Sequence, residues 1–147
     1  MNLFSQLRGL SRVRVYTDGA IRPERGISGL AAVVRDERGE IRHWWRRRAG
    51  RMTCNEAEYA AIIFALESLR PLHPAQVEVY SDSQVVVHQM RGLARAQAPA
   101  LRQAQVRLRG LVVQFERVTF HHIPREQNLL ADALANDVLD GMAGSDE

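Results

Sequence analysis

The sequence predicts an α/β domain built on a five-stranded mixed sheet, whose first three strands are antiparallel and whose faces carry helices. Two observations lead to this prediction. Near the start of the chain, three strand-like segments follow one another across short turns, which is typical of an antiparallel meander. Beyond residue 50, helical and strand-like patterns alternate up to residue 139, so that the complete order is βββαβααβα.

Each predicted strand carries its own signal. Residues 13–20 alternate apolar and polar side chains, as a strand buried on one face does, and residues 29–35 form a short apolar run that fits a buried strand. Pro23 and Gly26 indicate that residues 21–28 form the turn that joins these two strands. The remaining strands are predicted over residues 40–48, 76–81 and 117–123.

Four helices are predicted from apolar residues at helical spacing. The first begins at Thr53 or Asn55, either of which is a suitable N-cap, and it stops before Pro71. The others cover approximately residues 82–90, 100–114 and 129–139. Because the first helix can serve as a right-handed crossover, the fourth strand is expected to lie beside the first strand and parallel to it.

Length and composition set the broad class. The 147 residues are 46% hydrophobic and 25% charged, which is ordinary for one globular domain. We expect an extension over residues 1–12, one folded domain over 13–140 and a disordered tail over 141–147. Cys54 is the single cysteine, so an internal disulfide is excluded, and no signal peptide or membrane-spanning run is found. We therefore predict a cytoplasmic monomer that does not act at a membrane.

All 20 basic residues are arginines. Arginine is the better bidentate ligand for phosphate, although codon bias in a GC-rich genome explains the same preference. The net charge of +3 permits nucleic-acid binding without demonstrating it.

Four acidic residues lie among apolar neighbours at positions that the predicted topology can bring together. Asp18 and Asp82 end neighbouring strands, whereas Glu58 and Asp132 lie near the starts of helices. Crowded carboxylates cannot all stay ionised unless cations neutralise them, and oxygen ligands select Mg²⁺ or Mn²⁺. Two such ions about 4 Å apart would activate a water and stabilise the leaving oxygen of a phosphodiester. Taken singly, each acid is more simply a solvated surface residue.

The motifs of this chain resemble those of the type 1 ribonuclease H family over residues 12–140. They read Thr-Asp-Gly-Ala at 17–20, Thr-Cys-Asn-Glu-Ala-Glu-Tyr at 53–59, Ser-Asp-Ser-Gln at 81–84, Pro-Arg-Glu at 124–126 and Ala-Asp-Ala-Leu-Ala at 131–135. The resemblance implies a ribonuclease H-like fold and hydrolysis of the RNA strand of an RNA–DNA hybrid. It also implies that Asp18, Glu58, Asp82 and Asp132 hold two Mg²⁺ ions, with Mn²⁺ as an alternative.

The same resemblance implies contacts with the substrate. Asn55 and Gln84 are expected in the minor groove of the hybrid, and Thr53 is expected near a phosphate of the DNA strand. Such contacts suit hybrid recognition, which relies on shape and on the 2′-hydroxyl of RNA. Gly19 leaves room for a backbone or a ligand to come close, and we include it among the substrate-binding candidates.

The chain departs from the family pattern where many members carry a basic protrusion with tryptophans. Residues 92–99 form only a short loop whose one basic residue is Arg95, so the chain resembles the subgroup that lacks the protrusion. Either substrate affinity is weak or another surface takes over. The densest basic–aromatic segment is residues 42–51, which is either a substrate contact or a solvated strand face with a core tryptophan.

A second departure concerns the residue that assists catalysis. The family uses a mobile histidine, and by its spacing from Asp132 the candidate here is His122. In the subgroup without the protrusion, the loop arginine substitutes, and this is Arg125. Arginine stays charged, so it can contact the scissile phosphate or the product but cannot serve as a base. We favour Arg125 slightly, and we expect His121 to point to the other face of its strand.

Two other functions are compatible with the same fold. A binding module can keep the fold and lose the chemistry, but such modules commonly lose carboxylates and this chain retains all four. Another nuclease of the fold, such as a junction resolvase, is not expected to carry the motifs at 53–59 and 81–84 together. Fold alone would not separate these functions.

Overall fold

The computed structural model describes residues 10–141, and in this range the element order agrees with the prediction. The strands are β1 (Arg12–Arg22), β2 (Ile27–Arg35), β3 (Ile41–Ala49), β4 (Gln76–Ser81) and β5 (Arg117–His122). The helices are α1 (Cys54–Leu69), α2 (Gln84–Met90), α3 (Pro99–Val112) and α4 (Leu129–Leu139). Within residues 10–141, every helix is too short or too polar to span a bilayer.

The five strands form one mixed sheet in the order β3-β2-β1-β4-β5. β1 pairs with β2, and β2 with β3, in antiparallel fashion, whereas the β1–β4 and β4–β5 pairings are parallel. This confirms the predicted five-stranded mixed sheet and the predicted placement of the fourth strand beside the first.

The main core lies between the sheet and the first three helices. From the sheet, alternate residues of the central strands are buried, among them Val15 and Val79. From α1, the fully buried side chains include Tyr59, Ile62 and Leu66. Burial of this apolar surface removes it from water and is the dominant stabilising term.

The helix α4 covers the opposite face of the sheet. It packs closely on β2 at Gly29, where an added Cβ would collide with the backbone carbonyl of Ala135. The neighbouring residue Leu30 points to the other face and packs with Phe64 of α1. The period of two along a strand therefore separates the two helical layers.

The predicted turn over residues 21–28 is too long. β1 continues to Arg22, β2 starts at Ile27, and these two residues are register partners. A single 3-10 turn over Pro23–Arg25 reverses the chain, because Gly26 has a positive φ of 65° that closes the turn tightly. The sequence placed the turn residues correctly but could not show how few of them the reversal needs.

The predicted terminal segments lie almost wholly outside the described residues. This applies to residues 1–9 of the expected extension and to residues 142–147 of the expected tail. Within the described range, β1 begins at Arg12, one residue before the predicted domain start. The division of the chain into extension, domain and tail stays a prediction.

Candidate active site

Two of the predicted carboxylates lie at the same edge of the sheet. Thr17 in β1 and Ser81 in β4 are register partners in a parallel pairing. Parallel strands present their carboxyl ends at one edge, so the residues that follow these partners are neighbours there. These residues are Asp18 and Asp82.

The third carboxylate, that of Glu58, comes from the start of α1. Thr53 is the N-cap: its hydroxyl accepts a hydrogen bond from the amide of Glu56 over 3.2 Å, and its own amide donates to the Glu56 carboxylate over 2.8 Å. This reciprocal capping box fixes where the helix begins. It also decides between the two predicted N-caps, in favour of Thr53 over Asn55.

Gly19 allows α1 to approach β1. A Cβ at this position would collide with the backbone carbonyl of Ala57, so only glycine fits here without a shift of the helix or the strand. The sequence left open whether a backbone or a ligand comes close to Gly19. In the structure a backbone does, and this close packing brings Glu58 to the end of β1.

The fourth carboxylate, that of Asp132, lies in the first turn of α4. The side-chain amide of Asn128, the residue before this helix, donates a hydrogen bond to the backbone carbonyl of Thr17 over 2.8 Å. Both residues are buried. The bond therefore holds the start of α4 against the end of β1, next to Asp18.

The structure brings the four acids into one cleft. Asp18, Glu58 and Asp82 each offer a carboxylate oxygen, and these oxygens all lie within 4.8 Å of one another. Asp132 lines the same cleft, whose volume is about 430 Å³, and its carboxyl group is hydrogen-bonded to that of Asp18. The prediction that the topology gathers all four is confirmed.

The crowding changes the protonation of these acids. Burial, together with the nearby charges of Asp82 and Asp132, raises the pKa of Asp18 to about 8. Burial and the charges of Asp18 and Asp82 raise the pKa of Glu58 to about 9. The pKa of Asp82 is also raised, chiefly by burial. Without cations, the protonated forms of Asp18 and Glu58 are therefore favoured at neutral pH.

The donor set suits a hard divalent cation. All the groups are carboxylate oxygens, and Oε1 of Glu58 is buried without a hydrogen-bond partner among the described residues. A buried carboxylate oxygen without a partner is costly, and a bound cation would satisfy it and offset the repulsion. The acidic cluster could therefore hold metal ions.

The structure places the two candidates for the auxiliary role differently. Arg125 lines the cleft, and its Nη2 lies 3.8 Å from Oδ1 of Asp132. His122 is exposed and is not part of the cleft lining, although its charge acts on Asp82. The geometry favours Arg125. His121 stacks on Tyr80 and so points to the other face of β5, as the sequence predicts.

Asn136 and Arg22 also line the cleft, although no sequence motif pointed to them. The side-chain amide of Asn136 donates to Oδ1 of Asp132 over 3.2 Å, and its Oδ1 accepts from Nη2 of Arg22 over 3.1 Å. The same guanidinium pairs with Asp140 over 2.9 Å. Asn136 follows Asp132 by four residues, a helical spacing that could have identified it as a neighbour.

Of the predicted substrate contacts, Gly19 lines the cleft, and the other three lie close in sequence to residues that line it. Thr53 and Gln84 are exposed and Asn55 is half-buried, so all three side chains are open to a ligand. Cys54, between Thr53 and Asn55, is exposed and lines the cleft. The capping role of Thr53 is compatible with a contact to phosphate.

The arginine-rich segment at residues 42–51 makes contacts within the protein. Arg42 pairs with Asp36 over 3.2 Å and Arg46 pairs with Asp137 over 3.5 Å. The guanidinium of Arg47 lies over the ring of Phe64. Of the two interpretations offered by the sequence, these contacts favour a structural role of the strand over a substrate contact.

Comparisons with known proteins give a consistent result. A protein-family model described as "Reverse transcriptase-like" matches residues 16–138. A curated protein named Ribonuclease HI, from Halobacterium salinarum, is 39% identical over 129 residues, which are 88% of this chain and 65% of that protein. The crystal structure of RNase H1 from the same archaeon superposes with a TM-score of 0.83, at 39% identity, over 88% of this chain and 98% of that one.

Two further solved structures are similar. The N-terminal RNase H domain of a Mycobacterium tuberculosis protein is 34% identical, with a TM-score of 0.82, over 90% of this chain and 96% of that one. LC11-RNase H1 in complex with an RNA/DNA hybrid is 36% identical, with a TM-score of 0.79, over 85% of this chain and 94% of that one. The chain spans 65% of the curated archaeal relative and 37% of the curated mycobacterial one.

Proposed function

Because this chain belongs to the type 1 ribonuclease H family, we propose that it is a metal-dependent endonuclease that hydrolyses the RNA strand of RNA–DNA hybrids. The observation that carries the proposal is the cleft in which Asp18, Glu58, Asp82 and Asp132 meet. The solved complex of LC11-RNase H1 with an RNA/DNA hybrid supports the choice of substrate.

The four carboxylates would hold two Mg²⁺ ions, and Mn²⁺ would be an alternative. When bound, such ions supply an activated water and stabilise the leaving oxygen of the phosphodiester. The protein holds the four carboxylates in place for these ions. The register of β1 and β4 sets Asp18 beside Asp82, and α1 and α4 bring the other two acids from opposite faces of the sheet. Oxygen donors alone favour these hard ions over zinc.

The groups around the cleft would orient the substrate. Asn55 and Gln84 are amides, which both donate and accept hydrogen bonds, and so they suit the 2′-hydroxyl and the base edges in the minor groove. Thr53 would contact a phosphate of the DNA strand, and Gly19, which lines the cleft, would contact the substrate through its backbone. Arg125 would contact the scissile phosphate or the product through its fixed charge, with His122 as the alternative for this role.

A catalytically inactive binding module is less favoured, because all four carboxylates are retained and they converge. Another nuclease of the same fold is less favoured because the motifs at 53–59 and 81–84 both contribute residues to the cleft. A cytoplasmic location and a monomeric state stay predictions.

A panel of end-labelled substrates tests the choice of substrate: RNA–DNA hybrid, double-stranded RNA, double-stranded DNA and single-stranded RNA, each in Mg²⁺ and in Mn²⁺. The proposal predicts cuts in the RNA strand of the hybrid alone. Binding of the same substrates, followed by fluorescence anisotropy in chelator, separates the alternatives. Tight binding of the hybrid without cleavage would identify a binding module, and preferential cleavage of DNA would identify another nuclease.

A further inference from the structure

A buried hydrogen bond joins α1 to α2. The hydroxyl of Tyr59 donates to Oε1 of Gln89 over 2.6 Å. Tyr59 is fully buried and Gln89 is 6% exposed, so the bond is shielded from water. Tyr59 directly follows Glu58 on α1, and α2 begins two residues after Asp82. The bond therefore connects a helix that carries one of the four carboxylates to a helix that starts next to another.

The hydroxyl of Tyr59 is a permanent donor in this bond. Burial raises the pKa of Tyr59 to about 12, so the hydroxyl keeps its proton throughout the neutral and mildly alkaline range. Without this hydroxyl, Oε1 of Gln89 would be a buried acceptor that has no other partner among the described residues, and such a group destabilises a fold. The pair therefore constrains the two helices more than a solvent-exposed hydrogen bond would.

Apart from this bond, α2 is held against the core by apolar side chains. The helix has only seven residues, and its buried apolar side chains are those of Val86, Val87 and Met90. Contacts between apolar groups are non-directional, whereas a hydrogen bond requires a narrow range of distance and angle. Among the residues that the structure describes, the Tyr59–Gln89 pair is the one side-chain hydrogen bond between α1 and α2. It therefore fixes the orientation of α2 relative to α1.

The helix α3 holds the same glutamine from its backbone. The side-chain amide of Gln105 donates to the backbone carbonyl of Gln89 over 3.1 Å. Nη2 of Arg109 donates to the same carbonyl over 3.4 Å. Gln89 is thus bonded to α1 through its side chain and to α3 through its backbone, and the last turn of α2 is held by both neighbouring helices.

The carboxylates are placed by other contacts. The backbone amide of Gly19 donates to the carboxyl group of Glu58, and the capping box fixes the start of α1. Asp82 is placed by the register of β4 with β1. By contrast, Gln84 is the first residue of α2, is exposed and makes no side-chain hydrogen bond with the described residues. The direction of its side chain therefore depends on the orientation of α2.

Resting on the proposed function, we propose that Tyr59 and Gln89 are positioning residues that hold α2 against α1. Their bond keeps Asn55 and Gln84 at the separation at which both bind one hybrid duplex. Asn55 precedes Tyr59 by four residues, and this spacing puts both on one face of α1. Two amides held at a fixed separation lose less freedom on binding than two mobile ones. The pair therefore determines affinity for the hybrid and leaves the chemical step unchanged.

The test removes the bond in two ways. Tyr59→Phe deletes only the hydroxyl and leaves the acceptor of Gln89 unpaired. Tyr59→Phe/Gln89→Leu replaces both partners by apolar groups of similar size, which restores stability because no buried polar group stays unpaired. The matched control is Tyr80→Phe, the same chemical change at a hydroxyl that donates to Glu78 over 3.0 Å within β4 and so joins no two elements.

For each protein, kcat, KM and the Mg²⁺ concentration for half-maximal activity are measured on the hybrid, Kd is measured by anisotropy in chelator, and Tm by thermal unfolding. We expect Tyr59→Phe to lower Tm and to raise KM and Kd about fivefold, which is within the range of one hydrogen bond. The double variant should regain Tm but keep the raised KM and Kd. In both, kcat and the Mg²⁺ dependence should stay unchanged, as should every value in the control.

A Gln84→Ala background tests whether the pair acts through Gln84. There the double change should raise KM by less than about twofold further, because residues that act through one another are not additive. An increase that adds in full to that of Gln84→Ala would overturn the proposal.

Other results would overturn it as well. If the double variant regains both Tm and the wild-type KM, the bond serves stability alone. An equal rise of KM in Tyr80→Phe would show that the loss of any tyrosine hydroxyl has this effect. If Tyr59→Phe does not fold, the double variant decides by the same measurements. A wild-type protein that neither binds nor cleaves hybrids would overturn the proposed function together with this inference.

Discussion

The side-chain amide of Asn136 donates a hydrogen bond to Oδ1 of Asp132 over 3.2 Å, and its carbonyl oxygen accepts one from Arg22 over 3.1 Å. Both ends of the amide are thus engaged. Arg22 ends β1, which also carries Asp18, so the two bonds connect the elements that supply two of the four carboxylates. Asn136 is placed to fix the direction in which the Asp132 carboxylate points.

Replacing this amide should weaken metal binding. We expect Asn136→Ala to raise the Mg²⁺ concentration for half-maximal activity roughly tenfold or more, as losing a partner of a ligand commonly does. Asn136→Asp tests the role of the hydrogen bond that Asn136 donates. A carboxylate cannot donate to Asp132, and it adds a repelling charge. The matched control is Ala133→Ser, an exposed change on the same helix. An unchanged Mg²⁺ dependence in Asn136→Ala would contradict the assignment.

Gly19→Ala should destabilise the protein. The added Cβ collides with the backbone carbonyl of Ala57, which cannot move without shifting α1, and forced overpacking of this kind typically costs about 1–3 kcal/mol. Since Glu58 follows Ala57, activity should fall as well. Urea unfolding at pH 7 and hybrid cleavage measure the two effects.

The control for this change is Gly110→Ala in α3, where an added Cβ meets no atom within 4 Å. Alanine replaces glycine in a helix interior with a gain of about 0.5–1 kcal/mol. We therefore expect Gly110→Ala to be slightly more stable and fully active. Equal stability of the two variants would show that the approach of α1 does not depend on Gly19.

In chelator, stability should fall as pH rises. The pKa of Asp18 is raised to about 8 and that of Glu58 to about 9, so the folded state binds more protons than the unfolded state between about pH 4 and pH 9. The slope of the unfolding free energy against pH is therefore negative in this window. Thermal unfolding from pH 5 to 9 measures it.

The same scan with Asp18→Asn should give a shallower slope and a higher Tm at pH 8, because a repelling carboxylate is gone. Adding Mg²⁺ should raise the Tm of the wild-type protein, by mass action on the folded state, and should have less effect on the variant. Parallel curves for both proteins in chelator would contradict the coupling between these carboxyl groups.

The two candidates for the auxiliary role, Arg125 and His122, differ in the loss of activity expected when each is replaced. Arg125 lines the cleft, so Arg125→Ala should lower kcat roughly tenfold to a hundredfold. This loss is somewhat smaller than the loss caused by removing a group that donates a hydrogen bond directly to the transition state. His122→Ala should lower it by much less, because this side chain is outside the cleft lining. Single-turnover rates separate the chemical step from product release. A larger loss in His122→Ala than in Arg125→Ala would reverse the assignment.

The parts of the fold that the sequence predicts depend on local patterns. Alternation along β1 and β4 places Asp18 and Asp82 at strand ends, and short turns then require an antiparallel meander. The predicted length of the turn between β1 and β2 was wrong. The actual length depends on the positive φ of Gly26, which composition alone does not reveal.

The parts that the sequence did not predict depend on contacts between distant residues. Arg22 and Asn136 are 114 positions apart, so neither residue suggests the other in the sequence. Likewise, the partner of Arg46 is Asp137 on α4. Without knowledge of the fold, a row of arginines on a strand is equally compatible with exposure to solvent and with contact to a substrate. Side-chain pairing across elements is the information that only the structure supplies.

The most direct test of the account is cleavage of an RNA–DNA hybrid with the label on either strand, by the wild-type protein and by Asp18→Asn, in Mg²⁺ and in chelator. The account predicts internal cuts in the RNA strand only, dependent on the metal and reduced by several orders of magnitude in the variant, which should remain folded. Cleavage that persists in chelator, or an Asp18→Asn protein as active as the wild type, would contradict the claim that the carboxylate cluster performs the reaction.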